Sequence, residues 1–231
     1  MSRGRARTPR IPRRVRAGAV RAETGVLTCL VLATPPGEWV AIDLASGAFA
    51  RLRRPPGEPD GDGAARPLDV VEVTVAPDDD PFDPARPEAV ACASAPRVVG
   101  RPRARQLRRL LGALVAPETG APILGTHGPS IAYVDLDGTR PSLELLVVRR
   151  APALAAHGDG VRCSLAWGGR VEVLPVLDPL ACAAARAART GPLEPGALAR
   201  ALGFAPGYVL AGLGPVRDGH VAKAVLALLP R

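Results

Sequence analysis

The chain is divided into short apolar runs, and a turn rich in glycine, proline or aspartate follows each of them. The first half contains the runs Val26–Ala33, Trp39–Leu44, Ala48–Arg53 and Leu68–Val75. Most of these runs alternate apolar and polar side chains with a period of two, which is typical of half-buried strands. The pattern therefore predicts a fold that is mainly β.

The second half repeats this succession of strands and turns. Its expected strands are Ser142–Val148, the hairpin Val161–Trp167 with Arg170–Val176, and the final pair Tyr208–Leu213 with Val221–Leu229. Each half is long enough to close a small barrel of about five strands. We therefore predict two tandem small β-barrels accompanied by a few short helices.

Two of the expected helices lie in the second half. Asp178 and Pro179 supply an N-cap and a first-turn proline for an alanine-rich helix, and a second helix is expected at about 195–202. Together with the strand pattern, these helices suggest the following division of the chain. A disordered arm covers 1–22, a first barrel 23–98, an arginine-rich helical connector 99–118, and a second barrel 119–231.

The basic excess of the chain lies at its amino-terminal end. Lys and Arg number 30 against 22 Asp and Glu, and eight of the arginines fall within residues 1–22, which hold no carboxylate. From Glu23 onward the formal charges therefore balance. Because residues 1–22 lack apolar periodicity, we expect a disordered basic arm that adheres to phosphate backbones. A start codon assigned too far upstream in GC-rich DNA is the alternative explanation of this segment.

A second basic cluster coincides with the clearest helical pattern in the chain. The spacing of one helix face is followed by Leu107, Leu110, Leu111, Leu114 and Val115. No carboxylate occurs between Glu88 and Glu118, and six arginines lie in or just before the helix: Arg97, Arg101, Arg103, Arg105, Arg108 and Arg109. We predict a positive patch that contacts phosphate. The alternatives are a solvated helix face, or pairing with the acidic loop just upstream, around 78–83.

The strand that ends at Arg53 carries a third candidate site. Alternation places Phe49, Arg51 and Arg53 on one face of this strand. An aromatic ring beside two guanidinium groups suits a base and its phosphate, and Trp39 on the preceding strand offers a further ring for stacking. The alternative is that Phe49 belongs to the core and that the arginines form a solvated strand edge.

No constellation of residues predicts catalysis or a bound metal. The three histidines are too scattered for a metal site, and so are the four cysteines, which we expect to be buried thiols: Cys29, Cys92, Cys163 and Cys182. His127 and Ser130 lack a third group for nucleophilic catalysis. Lys223, the single lysine, is a candidate phosphate contact, and a strand-edge ion pair is its alternative role. We therefore predict no catalytic site, cofactor or metal, and we favour a protein that is not an enzyme.

The apolar runs also limit where the protein is expected to act. None of them approaches the ~18–20 residues that a membrane-spanning helix needs. Arg21 and Glu23 border the first apolar run, which argues against a secretory signal. We expect a cytoplasmic protein with no membrane partner.

Short motifs in a characteristic order occur along both halves. Those of the first half are Leu27-Thr28-Cys29-Leu30, Ala41-Ile42-Asp43, Ser46-Gly47, Phe49 with Arg51, Leu68-Asp69-Val70-Val71-Glu72 and Pro87-Glu88. Those of the second half are Ser142-Leu143, Trp167-Gly168, Leu174-Pro175-Val176, Asp178-Pro179, Leu213-Gly214, Asp218-Gly219 and Lys223. In these motifs the chain resembles bacterial proteins with a dual OB-fold domain, over about residues 26–228. The resemblance implies two OB-like barrels and a nucleic-acid-binding or accessory role, and it implies no reaction.

Two functional hypotheses follow from these patterns. The first is a non-enzymatic protein that binds DNA or RNA, with the basic arm and the arginine-rich helix contacting phosphates. Its expected contact residues are Trp39, Phe49, Arg51, Arg53, Arg101, Arg105, Arg108, Arg109 and Lys223. Because the chain has only seven aromatic residues, electrostatics should dominate over stacking. The second hypothesis is a protein-interaction adaptor whose basic helix docks an acidic protein partner.

Overall fold

A computed structural model describes residues 25–55, 65–77, 82–116, 121–188 and 191–231. Over these residues the fold is mostly β, with three α-helices and curled sheets. The predicted basic arm at 1–22 and the aspartates at 78–80 lie outside the described residues. No helix within the described ranges is long and apolar enough to cross a membrane.

The strands and helices follow the predicted order. The strands are β1 (Gly25–Ala33), β2 (Glu38–Asp43), β3 (Phe49–Arg53), β4 (Val70–Val75), β5 (Ala89–Ala91), β6 (Arg97–Gly100), β7 (Val115–Ala116), β8 (Ser130–Ala132), β9 (Leu143–Val147), β10 (Ala153–His157), β11 (Gly160–Trp167), β12 (Arg170–Pro175), β13 (Pro206–Arg217) and β14 (His220–Pro230). The helices are α1 (Ala104–Leu114), α2 (Pro179–Ala187) and α3 (Pro195–Leu202). Each predicted strand and helix is present, except that Val115 begins β7 instead of continuing the helix.

The first half forms a six-stranded sheet with the order β5-β3-β2-β1-β4-β6. Its pairs are antiparallel except for the parallel pair of β3 and β5. The sheet curls until β4 meets the chain just after β5, where Ala76 N donates to Ala91 O and Ala93 N donates to Thr74 O, both at 2.9 Å. The strands therefore close in the order β1-β2-β3-β5-β4, which encloses one apolar core.

The second half contains a five-stranded and a three-stranded sheet. The five-stranded sheet has the order β7-β9-β13-β14-β8, and the three-stranded sheet is the meander β10-β11-β12. The two sheets touch where Val176 bridges Val225 and where Leu177 N donates to Val225 O at 2.8 Å. The second half is thus a curled, open arrangement of strands that α2 and α3 cover.

The sheets separate three apolar cores. The inner core lies inside the six-stranded sheet and includes Cys29, Val31, Trp39, Leu52 and Val71. The middle core joins the outer face of β1 and β2 to the five-stranded sheet and to α1, and it includes Leu30, Ile42, Leu111, Leu145 and Leu210. The third core lies between the five-stranded sheet, the three-stranded sheet and α2 with α3, and it includes Leu146, Cys163, Leu174, Leu198 and Val225. The five-stranded sheet is therefore buried on both faces.

Helix α2 begins where the sequence predicts, because Asp178 caps it. The Asp178 carboxylate accepts hydrogen bonds from Leu180 N at 2.9 Å and Ala181 N at 3.1 Å. Its second oxygen accepts a bond of 2.9 Å from Leu228 N on β14. One side chain thus satisfies two free amides of the helix and ties the helix to the five-stranded sheet.

The buried Asp178 carboxylate predicts a pH dependence of stability. Desolvation raises the pKa of this carboxyl above its ordinary value of 3.8, and the three backbone hydrogen bonds offset only part of that rise. The folded chain therefore binds the proton more tightly than the unfolded chain does. The contribution of Asp178 to the free energy of unfolding is largest below pH 3.8 and is lost as the pH rises through the folded-state pKa.

Asp178→Asn should remove this component. Urea unfolding of the native chain and of the variant, measured from about pH 3 to pH 8, should give a difference that changes with pH up to the folded-state pKa and is constant above it. The two unfolding free energies should also differ by an amount that does not change with pH, because the Asn NH2 group faces the Leu228 N–H and cannot accept its hydrogen bond. A difference that is flat across the whole range would contradict the predicted linkage.

Candidate functional site

The predicted basic helix is present and exposes its arginines. Leu110 and Leu111 of α1 are buried in the middle core, whereas Arg105, Arg108 and Arg109 are exposed. These three arginines lie three and four residues apart, so they share one face of the helix. No ion pair joins them to a carboxylate of the described ranges. The helix therefore presents a compact positive surface to solvent, which we call the α1 arginine face.

Two arginines that precede α1 are paired. Arg101 Nε donates to Asp69 Oδ1 at 2.6 Å, and Arg97 forms an ion pair with Glu72. Both guanidinium groups are mostly exposed, at 61% and 72% of the side chain. Surface pairs of this kind contribute little to stability. Arg101 can thus extend the α1 arginine face.

Arg51 has a different environment from the α1 arginines. Its side chain is 1% exposed and forms an ion pair of 2.6 Å with Glu38 Oε1. Its remaining N–H groups donate to Ser142 Oγ at 2.9 Å, to Ser142 O at 3.2 Å and to Leu213 O at 2.8 Å. Arg51 therefore fastens the six-stranded sheet to β9 and β13, and its guanidinium group has no surface on which a phosphate could bind.

Ser142 and Glu88 complete this buried cluster. Ser142 donates to Glu88 from its N–H at 2.6 Å and from its Oγ at 2.7 Å. Glu88 lies beside Arg51 because β3 and β5 run parallel, and Arg51 N donates to Glu88 O at 2.8 Å. Arg86 Nη1 lies 3.6 Å from Glu38 Oε2. We call Glu38, Arg51, Glu88 and Ser142 the Arg51 cluster.

The two aromatic residues of the predicted platform lie on opposite faces of the six-stranded sheet. Trp39 is completely buried in the inner core, and the Arg54 guanidinium group lies 4.4 Å from its ring centroid. Phe49 is half-buried on the other face, next to the middle core, and Arg53 is half-buried at the end of the same strand. A base can therefore reach Phe49 in this structure but not Trp39.

Lys223 is buried as well. Its Nζ donates a hydrogen bond to Thr126 O, and the whole residue is 2% exposed. Desolvation lowers the pKa of this ammonium group, while Glu172 and Glu144 partly restore it. Lys223 thus fixes the Thr126 loop from inside the second half, away from any external phosphate.

A cavity of about 390 Å³ opens where the two halves meet. Its walls come from Phe49 and Glu88 of the first half, Leu114 at the end of α1, and Glu144 on β9 with Arg140 just before that strand. β7 pairs with Leu145 and Leu146 of β9, and the cavity lies beside Glu144, the residue before this pair. Its volume is in the size range of small-ligand sites.

Glu144 is the titratable group of β9 in this cavity. Its Oε2 accepts a hydrogen bond of 2.6 Å from Leu124 N. Leu124 adopts a left-handed conformation with φ 54°, which is strained for a branched residue. Burial raises the pKa of the Glu144 carboxyl, and the Leu124 amide and Lys223 lower it by less. A partly desolvated carboxylate therefore stands beside a strained turn, and strained backbone of this kind concentrates at functional sites.

Comparison with protein-family models, with characterised proteins and with solved structures finds no match for this chain. Its function must therefore be argued from its own residues. Within the described ranges, no group of three or more His, Cys, Asp or Glu side chains is arranged to hold a metal ion. Burial raises the pKa of the Cys163 thiol to about 12 and also raises that of Cys29, so neither is a thiolate nucleophile at neutral pH.

The sequence-based prediction did not include three residues at or beside the cavity. Glu144 belongs to a segment whose sequence predicts only a strand, Arg140 precedes that segment without a predicted role, and Phe82 lies in a loop expected to be solvated. The Phe82 ring is 66% exposed and packs against Gly138, where an added Cβ would lie 2.3 Å from Phe82 Cζ. Gly138 itself lines the cavity. The sequence signal that could have indicated this position is an aromatic residue between prolines and aspartates.

Proposed function

We propose that this protein is a non-enzymatic nucleic-acid-binding protein that holds phosphates on the α1 arginine face. The observation that carries the proposal is the placement of Arg105, Arg108 and Arg109 together in solvent, without carboxylate partners in the described ranges. Each guanidinium group can replace condensed counterions on a phosphate backbone, which favours binding by counterion release.

The scaffold supports this proposal through its strand order. The closed order β1-β2-β3-β5-β4, with β3 parallel to β5, is the arrangement of a five-stranded OB-type barrel. We accordingly propose that the first half is OB-like. Proteins with this barrel bind oligonucleotides or oligosaccharides, and fold alone does not choose between such ligands.

The binding surface proposed here differs from the one that an isolated OB barrel offers. OB barrels bind oligonucleotides over strands 2 and 3, whose outer face in this chain carries Val40, Ile42 and Arg51. These residues are covered by the middle core and by the Arg51 cluster. Because the second half covers that face, we place the phosphate contacts on the α1 arginine face instead.

The test is a salt series of fluorescence anisotropy with labelled single- and double-stranded oligonucleotides. We expect the triple variant Arg105→Gln, Arg108→Gln, Arg109→Gln to weaken binding of all sequences. We also expect it to reduce the slope of log K against log salt by roughly 2–3, because each phosphate contact contributes about 0.7–0.9. A matched control replaces three other exposed arginines, Arg162, Arg170 and Arg217, with Gln, and should leave the slope unchanged.

Removing residues 1–22 distinguishes binding by the α1 arginine face from binding by the basic arm. Binding that persists in a chain beginning at Glu23 and falls in the triple variant supports the proposal. Binding that disappears with the arm alone, or an equal loss in both triple variants, contradicts it. If no oligonucleotide binds, the same face would instead have to dock an acidic protein partner.

A further inference from the structure

We propose that the cavity between the two halves binds one nucleobase that carries an exocyclic amine, with Glu144 Oε1 accepting from that amine and Phe49 lying against the ring. This inference rests on the proposed function, because it names the part of the same nucleic-acid interface that reads a base.

The free oxygen of Glu144 determines the chemistry of the ligand. Oε2 is engaged by Leu124 N, whereas Oε1 has no hydrogen bond in the described part of the chain, and Glu144 is one of the residues that line the cavity. A single free carboxylate oxygen accepts one donor, and the amino group of cytosine or adenine is such a donor. Uracil presents carbonyl oxygens on either side of its N3–H, and the carboxylate repels them.

The walls of the cavity suit a flat aromatic ring. Phe49, Leu114, Leu124 and Leu143 provide apolar surface, and Phe49 provides an aromatic face for stacking. Arg140 is exposed at the mouth, and its Nη1 lies near Gly125, where an added Cβ would be 3.9 Å away. A guanidinium group at the mouth is placed to meet the phosphate of a nucleotide whose base is inside.

Two features link the cavity to a strand of nucleic acid. Leu114, which lines the cavity, ends the same helix that carries Arg109, and five residues of helix span only about 7.5 Å along the axis. On the other side, the exposed Phe82 ring packs on Gly138 at the cavity wall. A strand held by the α1 arginine face can therefore place one base in the cavity and stack a neighbouring base on Phe82.

The experiment compares oligo(dC) with oligo(dU), which carry the same charge and differ in the base edge that Glu144 would contact. Anisotropy titrations of the full chain should give tighter binding of oligo(dC), by roughly tenfold for one hydrogen bond to a charged group. Glu144→Gln keeps an oxygen for Leu124 N and should abolish this preference while leaving the salt slope unchanged. Phe49→Leu should weaken both ligands, and Asp159→Asn, which removes an exposed carboxylate elsewhere, should change nothing.

The outcomes separate this inference from the proposed function. Equal binding of oligo(dC) and oligo(dU) by the native chain, or a preference that survives Glu144→Gln, overturns the base site and leaves phosphate binding by α1 standing. If no oligonucleotide binds, the proposed function fails. Ligand-observed NMR with cytidine 5′-monophosphate and uridine 5′-monophosphate then tests whether the cavity binds a free nucleotide. Binding of the cytidine nucleotide that Glu144→Gln removes would identify a free-nucleotide site, and no binding of either would overturn the inference.

Discussion

Arg51→Met is expected to lower the free energy of unfolding by about 3–5 kcal/mol, because removing one partner of a buried ion pair leaves the other charge poorly compensated, here by Arg86 at 3.6 Å from Glu38 Oε2. The Glu38 carboxylate, 8% exposed, would lose its partner at 2.6 Å. Ser142 Oγ and Leu213 O would each lose a donor. Urea unfolding followed by far-UV circular dichroism measures the loss, with Arg105→Met as the control that replaces an exposed arginine.

A second variant tests whether the loss comes from the Arg51 cluster itself. Glu38→Gln removes the facing charge, and in the Arg51→Met background it should cost less than in the native chain, because the charge it removes no longer has its closest partner. If Arg51→Met leaves stability unchanged but abolishes oligonucleotide binding, Arg51 contacts the ligand and its structural role is refuted. Similar losses in Arg51→Met and Arg105→Met would also refute that role.

Trp39→Ala is expected to cost about 3–5 kcal/mol of unfolding free energy, the usual range for removing a large aromatic from a core. The ring is completely buried among Cys29, Val31, Leu52 and Val71. Its removal leaves a cavity that a closed sheet cannot collapse to fill. Thermal and urea unfolding of the variant measure the loss.

The conservative variant Trp39→Phe separates packing from hydrogen bonding. Trp39 Nε1 has no hydrogen-bond partner in the described part of the chain, so Phe removes volume but no hydrogen bond. We expect a smaller loss than for Ala and unchanged affinity for oligonucleotides. A Trp39→Phe protein of native stability that has lost oligonucleotide binding would show that the indole contacts the ligand.

Regular elements were predictable because their signals are local. The leucine spacing of α1 and the Asp178-Pro179 start of α2 depend on neighbours within one or two turns, and both helices form as expected. The strands β5 to β8, of two to four residues, were not predicted, and neither was β10. A strand of two to four residues is too short to establish a period, and distant partners rather than its own sequence determine it.

The candidate site was harder to predict because its residues come from separate segments. Alternation correctly groups Phe49 with Arg51 on one strand face but does not reveal what covers that face. A signal was nevertheless present in β2, where Val40 and Ile42 face one side while Trp39 and Ala41 face the other. A strand that is apolar on both faces indicates burial on both, which favours a buried position for Arg51, the residue that pairs with Val40.

The motifs behind the dual OB-fold resemblance have a common structural property. Arg51, Glu88 and Ser142 form the Arg51 cluster, Asp178 ties α2 to β14, and Lys223 holds the Thr126 loop. Each is a polar side chain that bonds across the interior instead of facing solvent. These residues join separate segments of the fold, and they carry no argument about the ligand.

The long hairpin of β13 and β14 has a consequence for how the protein is made. Its two faces complete both the middle and the third core, since Leu210 and Leu226 face one side while Val209 and Val225 face the other. This hairpin, residues 206–230, is synthesised after every other described strand. Until this hairpin is in place, the outer face of β1 and β2 lacks part of its apolar cover, and neither the middle core nor the third core can close.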